Sequence, residues 1–140
     1  MADTFQFKLV TPTGVLFDGP AEQVTAVGAL GEFGVLPLHI DYITSLVPGV
    51  LTVRVREGQF QEFWLAGGFA EVKAGVMTVL AGEAMLPEKV DSAEAARELP
   101  EVEAKAAGMS FYDLGYQEAV QALQVARTKA ELKQIRRALS

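Results

Sequence analysis

His39 is the single histidine of a 140-residue chain that contains no cysteine. Those two facts bound the chemistry its side chains can do. Without thiols there is no thiolate nucleophile, no disulfide and no cysteine-based zinc or iron–sulfur site. A nucleophile–base relay would have to run through His39, with Asp41, Ser45 or a distant hydroxyl as partner. Neither a Gly-x-Ser-x-Gly elbow nor a glycine-rich phosphate loop ending in Lys-Ser/Thr accompanies it. One imidazole among scattered carboxylates does not make a zinc site. Carboxylate pairs such as Glu32 and Asp41 are what any acidic chain offers. The plain reading of His39 is a loop residue whose ring nitrogens bond backbone. The expectation is therefore no catalytic residue, no metal and no cofactor.

Charge and composition narrow the partner. Twelve basic against eighteen acidic residues leave a net −6, whereas a nucleic-acid surface needs a basic excess, so nucleic acid is not expected. Half of the residues are hydrophobic before thirteen glycines are added, too apolar for a disordered chain. The longest uncharged run, residues 42–53, is broken by Pro48-Gly49 and falls short of the roughly 18–20 apolar residues of a membrane span. The opening residues show no secretory signal. A soluble chain that binds protein is expected.

The composition changes near Pro87. Residues 1–87 hold eleven of the thirteen glycines and seven of the eight phenylalanines, while residues 88–140 hold eleven of the twenty alanines. Glycine turns with aromatic and β-branched residues favour strands; Ala, Glu, Lys, Gln and Arg favour helix. Phe5, Phe7 and Leu9 alternate with polar neighbours, as do residues 23–27 and 50–56. Pro12-Thr13-Gly14, Asp18-Gly19-Pro20 and Glu57-Gly58 supply turn signals. Short strands at such spacing predict an all-β sandwich of two antiparallel sheets over residues 1–86. An α-helical hairpin is predicted over residues 87–140.

Asp91-Ser92 offers an N-cap to the first helix. Pro100 makes that helix either short or split, restarting toward Ala107 with Gly108 as its stop. The second helix is predicted from about Ser110 to the chain end. At 100° per residue, Tyr116, Val120 and Leu123 form one apolar stripe, and Val125, Leu132, Ile135 and Leu139 a second, more than 90° away. Such a helix bends, meets two surfaces, or is simply an alanine-softened amphipathic helix in a fixed hairpin. Residues 88–108 carry a net −3 and residues 109–140 a net +2. Cations near a helix C-terminus complement the macrodipole. Even so, Arg127, Lys129, Lys133, Arg136 and Arg137 together make a basic tip on an acidic protein, a docking surface for an acidic partner.

The densest local signal is Gly31-Glu32-Phe33-Gly34-Val35-Leu36-Pro37-Leu38-His39, a glycine-punctuated apolar loop between strands. It resembles the Gly-x-x-Gly-Val/Ile-Leu-Pro-Gly-His loop of the epsilon subunit of F-type ATP synthases. Gly67-Gly68-Phe69-Ala70-Glu71-Val72 resembles that family's Gly-Gly-Phe-x-Glu-Val hairpin. Residues 76–81 are similar to its following strand, and Phe7-Lys8-Leu9-Val10-Thr11-Pro12 and Leu16-Phe17-Asp18-Gly19 to its opening. The likeness covers residues 4–86 by motif and 87–140 by arrangement and length.

The resemblance implies a non-catalytic rotor subunit on the cytoplasmic face of the bacterial inner membrane, peripheral and without a span. Its sandwich would join the gamma subunit of the central stalk to the c-ring, with Gly31, Glu32, Phe33, Gly34, Pro37, Leu38 and His39 as contact residues. Its helices would fold back or extend to the alpha and beta subunits of the catalytic head. There the basic residues Arg127, Lys129, Lys133, Arg136 and Arg137 would meet an acidic segment of beta and inhibit ATP hydrolysis. Two departures stand out. Leu38 replaces the family's glycine, and His39-Ile40-Asp41-Tyr42 replaces its His-Ala-Pro, as in the epsilon chains of alternate enzymes that some bacteria keep beside a conventional one, sodium-translocating forms included. In the family's ATP-binding motif, Ile/Leu-Asp-x-x-Arg-Ala, the arginine position is Glu94 here, so no tight ATP site is expected. The competing reading is a free-standing β-sandwich ligand- or protein-binding module with a helical dimerisation tail. An enzyme built on His39 is the remote third.

Overall fold

The structure, a computed structural model, describes residues 3–132. The chain divides after Pro87 into two compact units. The first is built from ten strands: β1 Phe5–Thr11, β2 Gly14–Ala21, β3 Gln23–Gly28, β4 Gly31–Val35, β5 Tyr42–Leu46, β6 Gly49–Arg56, β7 Gln59–Leu65, β8 Gly68–Lys73, β9 Val76–Leu80 and β10 Ala84–Met85. Hydrogen bonding orders them β10-β7-β6-β3-β5-β8-β9-β1-β2, with β4 on the other side of β3. The order folds into two layers because β3 and β5 share a single residue pair, Gly28 with Leu46. The chain passes from β5 into β6 through Val47-Pro48 and so changes layer there, the corner expected of a sandwich.

Alternation dictates which side chains fill the space between the layers. Phe7, Leu9, Val24, Leu51, Val53, Met77 and Val79 are all fully buried in one cluster. Each contributes about 1.5–3 kcal/mol by leaving water. The ring of Phe17 on β2 lies 5.5 Å from that of Phe7 and meets Phe63 of β7 edge-on at 6.4 Å. The layers are thus tied by aromatic contact as well as by chain.

Three details differ from the sequence expectation. The segment between β3 and β6, expected as a loop, contains β4 and β5. Four glycine and proline residues there masked two strands of only five residues. β2 runs on through Gly19-Pro20 to Ala21 and does not stop at Asp18. It lies at a sheet edge, where a proline without an N–H is tolerated. Finally, β1 and β9 pair in parallel, Gln6 with Val76 through Val10 with Leu80, amid otherwise antiparallel ladders. The hairpins β1–β2 and β8–β9 each satisfy themselves locally, and placing them side by side leaves this pair co-directed.

The second unit contains a 3-10 turn, Pro87–Lys89, and helices α1 Ser92–Ala107 and α2 Tyr116–Ala130, which pack against each other. Asp91 caps α1, its Oδ1 accepting from the Glu94 N–H at 2.9 Å. α1 continues through Pro100, correcting the expectation of a short or split helix. Ser92, Ala95, Leu99, Val102 and Ala106 are its more buried positions, whereas Pro100 and Ala96 are on the exposed side. The Ala96 carbonyl that loses its partner is therefore one that water can reach. α2 starts six residues later than expected. Ser110 and Asp113 satisfy the intervening backbone themselves, the Asp113 carboxylate accepting from Ser110 N–H at 2.7 Å. Gly115 then enters the helix at φ +83°. In α2 the stripe of Tyr116 and Leu123 flanks buried Ala119 and Ala126. Ile135 and Leu139 of the second stripe lie outside the described residues.

The Gly67-Gly68 signal has a steric cause. At Gly68 φ is +142°, and a β-carbon there would stand 2.1 Å from the Leu80 carbonyl oxygen. Backbone meets backbone, so nothing soft can yield. Gly68→Ala should destabilise the chain by about 2–5 kcal/mol in chemical denaturation; a loss below about 1 kcal/mol would contradict this approach.

Candidate partner-docking site

The segment between β4 and β5 is positioned by short-range rules. β3 and β4 form a hairpin with Gly28 opposite Gly31. Gly28 leaves room for the Phe33 ring, which a β-carbon would meet at 3.2 Å. Phe33 stands edge-on to Tyr42 with centroids 5.9 Å apart, and Tyr42 lies 6.1 Å from the His39 ring. These three rings root the loop on β4 and β5.

Between them the chain turns tightly. The His39 N–H donates to the Leu36 carbonyl at 3.2 Å, with Pro37 second and Leu38 third in the turn. Leu38 has φ +66°, which makes this a type II turn, whose third position is ordinarily glycine. The His39 Nδ1 lies 2.6 Å from the Ile40 carbonyl oxygen; a carbonyl only accepts, so Nδ1 carries the proton. His39 thus serves as a loop-orienting residue bonded to backbone. Asp41 completes the brace. Its Oδ1 accepts from the Ala74 N–H at 3.1 Å, in the two-residue β8–β9 turn where Ala74 and Gly75 both have positive φ. Sequence analysis gives Asp41 no such partner, because a 33-residue separation leaves no local signal.

Of the expected contact residues, Gly31, Glu32, Gly34 and Leu38 are exposed, and Phe33, Pro37 and His39 half-buried. Leu36 and Ile40 are also exposed. Leu36, Pro37, Leu38, His39 and Ile40 lie on the braced turn between β4 and β5, with a cleft lined by Asp3, Thr4, Phe5, Pro37, Leu38, Ala74 and Gly75 beside it. Gly31 and Glu32 lie at the other end of β4, beside the turn of the β3–β4 hairpin. The exposed aliphatic tip of this turn is a surface suited to binding another surface. No group of three or more potential ligands that could hold a metal occurs among the described residues. No helix among them is long and apolar enough to cross a membrane.

The basic residues are only partly in view. Arg127 and Lys129 close the last turn of α2, and the Arg127 Nη2 lies 4.0 Å from the Glu103 Oε1 of α1, both about half exposed. Lys133, Arg136 and Arg137 lie outside the described residues. At the candidate nucleotide motif, Asp91 is occupied as the α1 cap, and Glu94 sits three residues into the helix, where a carboxylate complements the dipole.

Residues 4–87 match the family described as ATP synthase, Delta/Epsilon chain, beta-sandwich domain. An ATP synthase epsilon chain from Chromohalobacter salexigens is 36% identical over 132 residues, 94% of this chain and 92% of that one. One from Maricaulis maris is 41% identical over 99 residues, 71% and 74% of the two chains. Among solved structures, a chain in Euglena gracilis mitochondrial ATP synthase, resolved with OSCP, F1 and c-ring, superposes with a TM-score of 0.76 at 26% identity, covering 98% of this chain and 82% of that one. A chain of the Tetrahymena thermophila central stalk and c-ring shares the fold, with a TM-score of 0.64 at 16% identity over 92% and 98% of the chains.

The brace has a measurable consequence. Asp41→Ala should speed hydrogen exchange at the Ala74 amide and cost about 1 kcal/mol of stability, since the β8–β9 turn loses its acceptor. Unchanged exchange at Ala74 would show that the bond holds nothing in place. The matched domain, its ten-strand sandwich and the near full-length likeness to named relatives together decide the identity: this chain belongs to the ATP synthase epsilon chain family and is a non-catalytic member of that complex.

Proposed function

We propose that this chain serves in the rotor of an F-type ATP synthase, its sandwich linking the gamma subunit to the c-ring. The observation that supports the reading is the projection of residues 36–41, braced by the Leu36–His39 and Asp41–Ala74 hydrogen bonds and apolar at its tip. Such a surface suits transmission of torque, which needs a stiff grip and no bond chemistry. The division of labour is between residues 1–86, the gripping plate, and residues 87–140, a regulatory hairpin. This chain would be peripheral, at the cytoplasmic face of a bacterial inner membrane, held there through its partners.

The helical unit supports a regulatory role. Arg127 already faces a carboxylate of α1, so meeting an acidic segment of the beta subunit would exchange Glu103 for a new partner. A half-exposed pair of this kind is worth at most about 1 kcal/mol, weak enough to be exchanged. Arg127 and Lys129, with Lys133, Arg136 and Arg137, are the residues of that contact.

Two experiments test this. Affinity-tagged chain expressed in its own cell should recover gamma and c subunits; recovery of the chain alone, or as a dimer, would favour the free-standing binding module instead. Reversing charge at Arg127, Lys129 and Lys133 should raise ATP hydrolysis by the reconstituted complex by about fivefold, the equivalent of one lost surface pair. An unchanged rate would leave the hairpin without an inhibitory contact at these residues.

A further inference from the structure

The hydrogen bonding of α1 is interrupted halfway along. Pro100 carries no N–H, so the Ala96 carbonyl gains no helical donor, and the pyrrolidine ring crowds that same carbonyl. Side-chain packing does little to compensate in the first half of the helix. Ala95 is buried and Leu99 half-buried there, while Ala93, Glu94, Ala96, Arg97 and Glu98 are exposed. A methyl group makes few contacts, so little apolar surface resists movement of this half. The connection to α2, ordinarily the loose part of a hairpin, is the better fastened. Ser110 N–H donates to the Asp113 carboxylate at 2.7 Å, and Asp113 N–H donates back to the Ser110 carbonyl at 2.9 Å. Tyr112 N–H reaches the Ser110 Oγ at 3.3 Å, and Tyr116 N–H the Asp113 carbonyl at 3.2 Å. Over these bonds the Phe111 ring stands edge-on to both Tyr112 and Tyr116, with centroids 5.5 and 5.8 Å apart.

Resting for its use on the regulatory reading above, we infer that the helical hairpin bends at Pro100 and not at its interhelical turn. Residues 100–107, the turn and α2 move as one body, and residues 92–99 are the arm against which that body swings. A bend at this point breaks no helical hydrogen bond at Ala96, because none is there to break. A bend at residues 110–116 would break the four bonds of the turn and part its rings. The ion pair of Glu103 and Arg127 joins α1 to α2 on the same side of the hinge, so the swing carries it along intact. The hairpin thus reaches a second position without unfolding its tip, and Arg127 arrives there still held by Glu103.

The chain has no cysteine, so spin labels attach only where one is introduced. Two doubly labelled forms of the full chain test the hinge, Ala93→Cys with Gln124→Cys and Ala104→Cys with Gln124→Cys, all at exposed positions. Pulsed dipolar spectroscopy should give a broad or two-component distance for the first pair, which spans Pro100, and a single narrow distance for the second, which spans only the turn. Adding Pro100→Ala should narrow the first pair to one component. In the unlabelled chain, Pro100→Ala should slow amide exchange at residues 101–104 by about tenfold or more, since the helix regains a donor. Asp113→Ala should broaden the second pair, because the turn loses its carboxylate acceptor. Broad distances for both pairs in the wild-type background would place the flexure in the turn and overturn the hinge. Narrow distances for both, or a first pair and an exchange rate indifferent to Pro100→Ala, would overturn it as well. None of these outcomes bears on whether the chain joins gamma and the c-ring or inhibits hydrolysis, which are read on the assembled complex.

Discussion

Burial of the two facing apolar surfaces in the strand unit is the constraint on which the rest depends. Strand alternation sends Phe7, Leu9, Met77 and Val79 from one layer, and Leu51, Val53 and Phe63 from the other, into one cluster. With Phe17 bridging Phe7 and Phe63, neither layer can slide by one residue without turning its apolar side chains to water. Register is thereby fixed, and register decides where the β3–β4 hairpin ends and β5 begins. The projection of residues 36–41 inherits its position from that core, although its own side chains contribute little to it.

Turn chemistry explains how far this was legible in the residues. Glu57-Gly58 and Ala74-Gly75 close hairpins with glycine at positive φ, and glycine advertises such geometry because it alone adopts it freely. Leu38 and Ala74 adopt it too, with side chains that give no hint. Short strands were illegible for a related reason. β4 contains two glycines and β5 is exposed along most of its length, so neither carries a clear two-residue period. The Asp41–Ala74 bond joins positions 33 apart and belongs to the tertiary structure alone.

In the helical unit, propensity and environment compete openly. Asp91 was readable as a cap because the required geometry is local. Pro100 was misleading because its effect depends on which side of the helix it occupies. Facing water, the orphaned carbonyl is hydrated and the helix persists; facing Ala119 or Ala126, it would have had no partner. The start of α2 followed the same logic. Ser110 and Asp113 have good helix-capping chemistry, but they spent it on each other's turn, and the helix waits for Gly115.

A subunit that does no chemistry still has to resist force, and that requirement accounts for the placement of rigidity. The turn at residues 36–39 is fastened by backbone, imidazole and carboxylate at once, more fastening than a solvent loop requires. Every one of those bonds holds geometry, and none activates a nucleophile or binds an ion. A flexible loop would lose orientation each time its partner pulled and would pay the ordering entropy again on each re-engagement. A braced one transmits the pull into β5 and β8, whose five-residue ladder carries it to the core. Leu38 sits in the turn that precedes this ladder. Its strained backbone is tolerable there because the buried cluster supplies stability well in excess of what one unfavourable φ removes.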